Sequence, residues 1–505
     1  MVSNNMERFR TLDAQRTSHL DKARRIAAIT IPRLLPPEGW ASDQSLPKPF
    51  SSTTARAVSS LASKILQVLV PTNDQPYFRF GLSDGGDVPV EIRILLDNLE
   101  RQVYNKINLT NFREVAFEIL EQVIVLGDVL IHQTDDFNFF VSRLDEFVVV
   151  RNQEGEMLEV VYLQYEPDPE EPVNQSYMSA YGDDYHKQGF LTFYVRVHKD
   201  LETDKWIYSK QCSKGIEHES GEYDVPPLAV VPWKHVSGEH WSRSHCEDLI
   251  GDIDALEEYT MMLQQGIAAS IWFLLGLKPS SISDIDDIRG RDVGDIVGLM
   301  PDDLFAVSPG RELSPQVNTA FNGVQEMRRE IGQGFLMHTS SMPTGDRVTA
   351  TAIRMVGSEL DSVAGGAFSK ISKVLIEFAV KRTLAIMLKK NEIDEALRQE
   401  LFGSNASIQI EVLTGLAALN RDAELTKLLQ LGDMVRNLPE GATQMFNWNE
   451  YARAVITALG HDPNKFVRDP KEVAAERQQM QAEQMVNQVA MNAAPDLLNQ
   501  AMGGG

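Results

Sequence analysis

The chain has 505 residues, enough for several packed units because single cores stop growing at about 250–300 residues, and its 43% hydrophobic and 24% charged content is that of an ordinary folded protein. The formal net charge of −24 weighs against a surface that grips nucleic acid broadly, since phosphate affinity comes chiefly from Lys and Arg displacing counterions. Apolar stretches such as Ala268–Leu277 fall short of the ~20 residues that cross a bilayer, Met1–Arg10 has no basic-then-apolar leader pattern, and Cys212 and Cys246 lack the paired spacing of a disulfide framework or zinc ribbon.

Helical spacing comes first. Phe9, Leu12, Leu20, Ala23 and Ile26 predict one helix over Glu7–Ala28, closed by Pro32 and Pro36-Pro37. Further helices are predicted over Ser51–Val70, Val90–Ile107 and Asn111–Leu126. The period then changes to two in runs rich in β-branched and aromatic residues: Val129–Gln133, Asn138–Val141, Glu146–Arg151, Leu158–Tyr165, Phe190–His198 and Ala229–Val236. Asn152–Gly155 and Lys199–Lys205 read as hairpin turns, and the acidic, Pro-containing Glu166–Asp184 as a long exposed loop.

From His245 to about Trp272, Leu249, Ile253, Leu256, Tyr259, Leu263 and Ile267 recur every three or four positions among acidic residues, a long amphipathic helix. Gly276–Gly310, with its Gly and Pro residues, suits a small β-containing excursion. Ser314-Pro315 then offers an N-cap and an N1 proline for a returning helix striped by Val317, Phe321, Val324, Met327, Ile331 and Phe335. A polar loop, His338–Arg347, leads to Thr349, a cap for a very long helix running to about Lys389, in which Gly365-Gly366 predicts a kink. Helices follow at Glu424–Arg436 and Asn449–Leu459, and the tail from Lys471 reads as a peripheral helix that frays.

Chemical motifs are sparse. There is no glycine-rich phosphate loop with Lys-Ser or Lys-Thr, no dinucleotide fingerprint and no two-histidine zinc protease motif, so neither ATP hydrolysis nor a cofactor is expected. His235, His240 and His245, near Glu239 and Cys246, are spaced by fives, which suits neither one face of a strand nor one face of a helix; polar packing is the better reading than a metal site. Asp183-Asp184, Asp286-Asp287 and Asp302-Asp303 could in principle hold magnesium, but no Lys or His pattern supports them and solvated loop charge is the better reading.

The order of these elements resembles that of the portal, or head-to-tail connector, proteins of short-tailed bacteriophages (podoviruses). Local runs carry the resemblance: Thr30 to Pro36, Ala55-Arg56 through Lys64, Gly127-Asp128-Val129-Leu130, and Gly345-Asp346-Arg347-Val348-Thr349-Ala350 followed by Ile353-Arg354, Glu359-Leu360 and Gly365-Gly366. It extends over about residues 7–490. Ser242 departs from it, standing where the resemblance implies a glycine before the first long helix.

The resemblance implies a mainly α fold with an α+β wing, built as wing, stem helices, clip and crown and assembled as a ring around a central channel. Its parts would be a wing over 1–243, stem helix 1 over 244–273, a clip over 274–313, stem helix 2 over 314–337, a tunnel loop over 338–348, a long kinked wing helix and return over 349–413, and a helical crown with a flexible tail over 414–505. It implies no enzyme and no cofactor, but a homo-oligomeric ring of about twelve copies through which double-stranded DNA passes without sequence preference. His338, Thr339, Ser340, Ser341, Thr344, Gly345 and Arg347, with Arg328 and Arg329, are the candidates to face that DNA. Salt bridges are the alternative for these arginines, between subunits in the case of Arg328 and Arg329. The acidic balance suits a wall along which DNA slides. Asp286, Arg289, Arg291, Asp302 and Asp303 are the clip candidates for partner binding. The implied partners are the terminase large subunit, tail adaptor or nozzle proteins, major capsid and scaffolding proteins and internal core proteins, with no membrane. The implied place is the portal vertex of the virion, after assembly in the host cytoplasm. A tail adaptor or tail-tube ring and a metal-dependent DNA-processing enzyme are the rival readings.

Overall fold

Two N-terminal helices stand where the sequence predicts one, because the chain breaks at Arg16 between α1 (Asn5–Gln15) and α2 (Thr17–Ile29). The Arg16 side chain is buried, donating to Asp13 at 2.7 Å and to the Leu144 carbonyl at 2.6 Å, with its guanidinium 4.7 Å from the Trp241 ring centre. The computed structural model describes residues 4–41, 43–71, 76–82, 90–167, 190–271, 274–279, 286, 304–307, 310–337, 366–393, 408–412, 428–436, 446–448, 451–452 and 455–456.

Helix α3 (Thr53–Leu69) buries the apolar face its spacing predicts, including Val58, Leu61, Ala62 and Ile65. Strand β1 (Phe78–Leu82) follows, then α4 (Val90–Asn108) and α5 (Phe112–Leu126). From Ile119 to Leu126 every side chain of α5 is buried, so this half of the helix is enclosed on all sides.

The six expected strands are present as β2 (Asp128–Gln133), β3 (Phe139–Ser142), β4 (Phe147–Arg151), β5 (Met157–Pro167), β6 (Phe190–Lys199) and, after two strands the spacing did not predict, β7 (Trp206–Gln211) and β8 (Glu217–Tyr223), β9 (Leu228–Pro232). They form a three-stranded sheet ordered β3-β2-β9 and a five-stranded meander ordered β4 to β8. The turn at Asn152–Gly155 is made by Asn152 N–H on the Glu156 carbonyl at 3.0 Å, with Gly155 at φ +86. Asp200 and Lys205 close the next hairpin.

The first long helix is interrupted, a correction to the continuous rod expected from His245. A single turn, α6 (His245–Asp248), capped by the Ser244 hydroxyl, precedes α7 (Ile250–Ile271). Two short antiparallel strands, β10 (Leu274–Leu277) and β11 (Leu304–Val307), lead to the returning helix α8 (Gly310–Gly334). Helix α8 begins at Gly310, so Pro315 lies inside it and not at N1 behind a Ser314 cap. A proline this near the start costs one backbone hydrogen bond, toward residue 311.

Helix α9 (Gly366–Lys389) starts at the second glycine of the expected kink; Gly365 and the preceding part of that helix lie outside the described residues. Strand β12 (Ile408–Val412) returns to pair antiparallel with β1, joining Phe78 to Val412 in register. One apolar core runs from Leu20 through α3, α4, α5, the β2 sheet and α9 to Ile393, and takes in Ile253, Leu256, Val324, Ile331 and Phe335 from the long helices. All of this belongs to a unit spanning Met1–Thr414. In the second unit, Gly415–Gly505, residues 428–436 are helical and the rings of Phe446, Trp448 and Tyr451 cluster at 5.1–5.8 Å.

Candidate functional site

The two long helices α7 and α8 form an antiparallel hairpin, and glycines set how closely they pack. A Cβ on Gly334 would lie 2.9 Å from Leu249 Cδ1, one on Gly323 3.3 Å from the Tyr259 ring, and one on Gly266 3.1 Å from Val317 Cγ2. Residue numbers rise on one helix as they fall on the other, so the rods stay in register from root to tip. Their predicted apolar stripes divide along that length. At the root Ile253, Leu256, Val324, Ile331 and Phe335 are buried in the wing core, whereas Tyr259, Met262, Ile267 and Phe321 farther along are 38–52% exposed.

The root is tied to the wing by polar contacts. Glu257, one of the acidic residues between the apolar positions of α7, is buried, and its carboxylate accepts the Phe50 amide at 2.7 Å and the Ser51 amide at 2.9 Å just ahead of α3. Asp254 pairs with Arg25 of α2, and Lys64 of α3 donates to the Leu336 carbonyl. His245 Nε2 lies 2.9 Å from the Gly334 carbonyl, between Trp233 and Phe335, and burial lowers its pKa. Helix α8 ends with Met337 N–H on the Gly332 carbonyl and Leu336 N–H on the Gln333 carbonyl, leaving Leu336 at φ +57 in the position that favours glycine. Its buried side chain and the Lys64 bond hold it there.

A second tie sits where β9 hands over to α6. Asp128 and Arg151, both buried, pair at 2.7 Å; Asp128 also accepts the Ser242 amide at 2.6 Å, and Arg151 donates to the Ser242 hydroxyl at 2.8 Å. The serine that departs from the expected glycine therefore belongs to this network, and its φ is not positive. Neither Glu257 nor this network was singled out by spacing. The one local signal was the Gly127-Asp128 step, where a helix meets a strand and a buried position carries an acid.

The arginines of α8 behave differently from each other. Arg329 is held within its own helix by Glu326 at 2.6 Å and Glu330 at 3.4 Å, while Arg328 is exposed with no partner among the described residues. Asp286 is exposed; Arg289, Arg291, Asp302 and Asp303, and the loop residues His338, Thr339, Ser340, Ser341, Thr344, Gly345 and Arg347, lie outside the described residues.

The three histidines do not converge. His235 packs on the Gly155 turn, His240 Nδ1 accepts the Arg151 amide at 3.2 Å, and His245 reaches Gly334. Among the described residues no group of three His, Cys, Asp or Glu is placed to hold a metal ion. A wing cavity of about 240 Å³, lined by Val70, Tyr104, Ile107, Phe112, Arg113 and neighbours, has no carboxylate, histidine or cysteine in its wall. No described helix is long and apolar enough to cross a membrane.

The described residues thus form an α+β body that anchors a glycine-spaced helical hairpin through buried and half-buried polar contacts. The family model described as bacteriophage head to tail connecting protein matches residues 3–467, and the chain belongs to that family. It is 24% identical to the portal protein of Enterobacteria phage SP6 over 97% of this chain and 95% of that one. It is 25% identical to the portal protein of Escherichia phage T7 (83% and 80%) and 24% identical to that of Pseudomonas phage phiKMV (95% and 96%). Among solved structures it is similar to a chain in the neck of a native gene transfer agent particle computed with C12 symmetry, at 12% identity and TM-score 0.37 over 82% of this chain and 91% of that chain. The chain is thus a portal-type connector, a virion component at the head–tail connection.

Proposed function

We propose that copies of this chain close into a ring of about twelve, with the α7–α8 hairpins around an axial channel for double-stranded DNA during packaging and ejection. The observation that carries this is the divided apolar stripe. Apolar side chains buried at the root give way to the exposed Tyr259, Met262 and Phe321 farther along the rods. A heterologous contact repeated by rotation would bury them, and interfaces of that obligate kind are large and apolar.

In this reading residues 274–313 are the clip that takes the terminase large subunit during filling and tail adaptor or nozzle proteins afterwards. The wing meets capsid and scaffolding proteins, and residues 414–505 meet internal core proteins. The ring assembles in the host cytoplasm and is not an enzyme; the terminase supplies the energy. Residues 338–348 reach the DNA, and Arg328, which has no partner among the described residues, touches phosphates or a neighbouring subunit. Few cations in an acidic wall give weak, salt-sensitive contacts that suit sliding.

Particle images of the purified protein test the reading directly. A ring with an axial hole and about twelvefold symmetry is expected. A chain that stays monomeric at high concentration, or packs without a hole, overturns it.

A further inference from the structure

Among the described residues the five-stranded sheet leaves the long edge of β8 without a ladder partner. At the other edge the side chains of β4 are buried except for the half-buried Val150, and α1 packs across a face of β4, β5, β6 and β7. Strand β8 pairs with β7 from Trp206↔Tyr223 to Gln211↔Glu217 and has no second ladder partner among the described residues. Its seven residues span about 23 Å, and six of the seven positions from Ile216 to Glu222 are exposed.

Three features give that edge a chemical preference. The stretch Glu217–Asp224 carries four carboxylates and no Lys or Arg. Glu222 is engaged by Lys205 at 3.2 Å with both side chains exposed, an ion pair cheap to exchange for another cation. Space lies open over Gly221, where another backbone can come close. Exposed apolar side chains flank the strand: Ile216 at its start and Leu201 in the β6–β7 turn beside its end.

We propose that β8 is a docking edge for a basic extended segment of another protein, which adds as a sixth strand. Main-chain hydrogen bonds supply the affinity, as in other strand additions, and Lys or Arg side chains meeting Glu217, Glu219 and Glu222 supply the choice of partner. The same charges forbid the commonest misuse of an open edge. Two copies of this strand would place like charges opposite each other, so a second copy of the chain is a poor occupant.

The test uses the full-length protein and a fluorescein-labelled peptide of about nine residues in which Lys alternates with Val and Thr, long enough to cover the strand. Fluorescence anisotropy is expected to show saturable binding. Methylating alternate backbone amides along one edge of the peptide keeps its charge but removes its ladder bonds, and should weaken binding at least about tenfold. The triple substitution Glu217→Lys, Glu219→Lys, Glu222→Lys should do the same, with unchanged circular dichroism, while Glu154→Lys and Glu156→Lys on the β4–β5 turn should have little effect. Equal affinity for the methylated and unmethylated peptides would mean plain attraction to an acidic chain and would overturn the proposal. So would absence of binding, which would leave the edge charges as guards against pairing alone.

Discussion

Gly127 and Ser242 meet backbone to backbone. Gly127 ends α5 at φ +93, and a Cβ there would run into the Ser242 carbonyl oxygen, with Ser242 C at 3.1 Å and Arg243 C at 3.2 Å. Neither obstacle is a side chain that can turn away. Gly127→Ala should therefore lower stability by about 2–4 kcal/mol, the sum of the positive-φ penalty and forced backbone movement. Gly366→Ala faces open space at the start of α9 and should stay within about 1 kcal/mol. Urea unfolding of both variants measures the contrast, and equal midpoints would refute the account.

The pair beneath that contact leads to a second expectation. Asp128 and Arg151 are both nearly inaccessible, so Asp128→Asn leaves a guanidinium buried without its counter-charge and should cost about 3–5 kcal/mol. Adding Arg151→Met should recover part of the loss, since the introduced carboxamide still offers an oxygen to the Ser242 amide. A double variant no more stable than Asp128→Asn would show that the charge pair is not what matters. Ser242→Ala removes only the hydroxyl that Arg151 reaches and should cost less, about 1–2 kcal/mol.

Periodicity was readable wherever one face of an element is buried. Val58, Leu61 and Ile65 announced α3 because burial of one helix face imposes a period of 3.6, whereas β2 and β4, buried on both faces, were announced by their β-branched and aromatic composition. Strand β8 escaped for the same reason: Glu-His-Glu-Ser-Gly-Glu-Tyr lies at an open edge and has no apolar alternation to read. The helix breaks at Arg16 and Leu249 were hidden because the apolar stripe runs through them, while the partners these two residues meet there, the Leu144 carbonyl and Gly334, lie far away in sequence. Glu257 looked like one more acid on a charged flank; only the fold places the Phe50 and Ser51 amides opposite it.

That carboxylate carries a third prediction. Glu257→Gln keeps the shape but replaces one accepting oxygen with a donor, so one of the two buried amides loses its partner. The expected loss is about 1–3 kcal/mol. Hydrogen exchange should also quicken at Phe50 and Ser51, the amides that Glu257 now accepts. Unchanged exchange at both amides would show that Glu257 does not fasten α7 to α3.

Acid should destabilise the wing before its carboxylates titrate. His132 is fully buried between Phe140 at 4.6 Å and Tyr162 at 4.4 Å, and burial holds its pKa down to about 3. Burial lowers His19 and His245 as well. An unfolded chain binds these protons near pH 6.5 and the folded one does not. The stabilisation is therefore complete above pH 6.5 and declines as pH falls toward the folded values, by up to about 1.4 kcal/mol per pH unit for each histidine. Between pH 6 and 5, His132→Gln should flatten the slope of unfolding free energy by about that amount. A slope identical to that of the parent chain would place the titration elsewhere.

Met262 and Phe321 separate assembly from folding. The register that sets Leu249 against Gly334 and Tyr259 against Gly323 carries Phe321 to the level of Met262, and both are about half exposed in the single chain. Replacing either by Asp leaves the core untouched and should change the stability of the unassembled subunit by no more than about 0.5 kcal/mol. In a ring the same carboxylate would be buried against a neighbour without a partner, a cost of several kcal/mol repeated at every interface. Met262→Asp with Phe321→Asp should therefore give a folded chain of normal melting temperature that sediments as a monomer. Val324→Asp, inside the core, should instead unfold the subunit itself. Intact rings from the double variant would move the subunit contact off these rods.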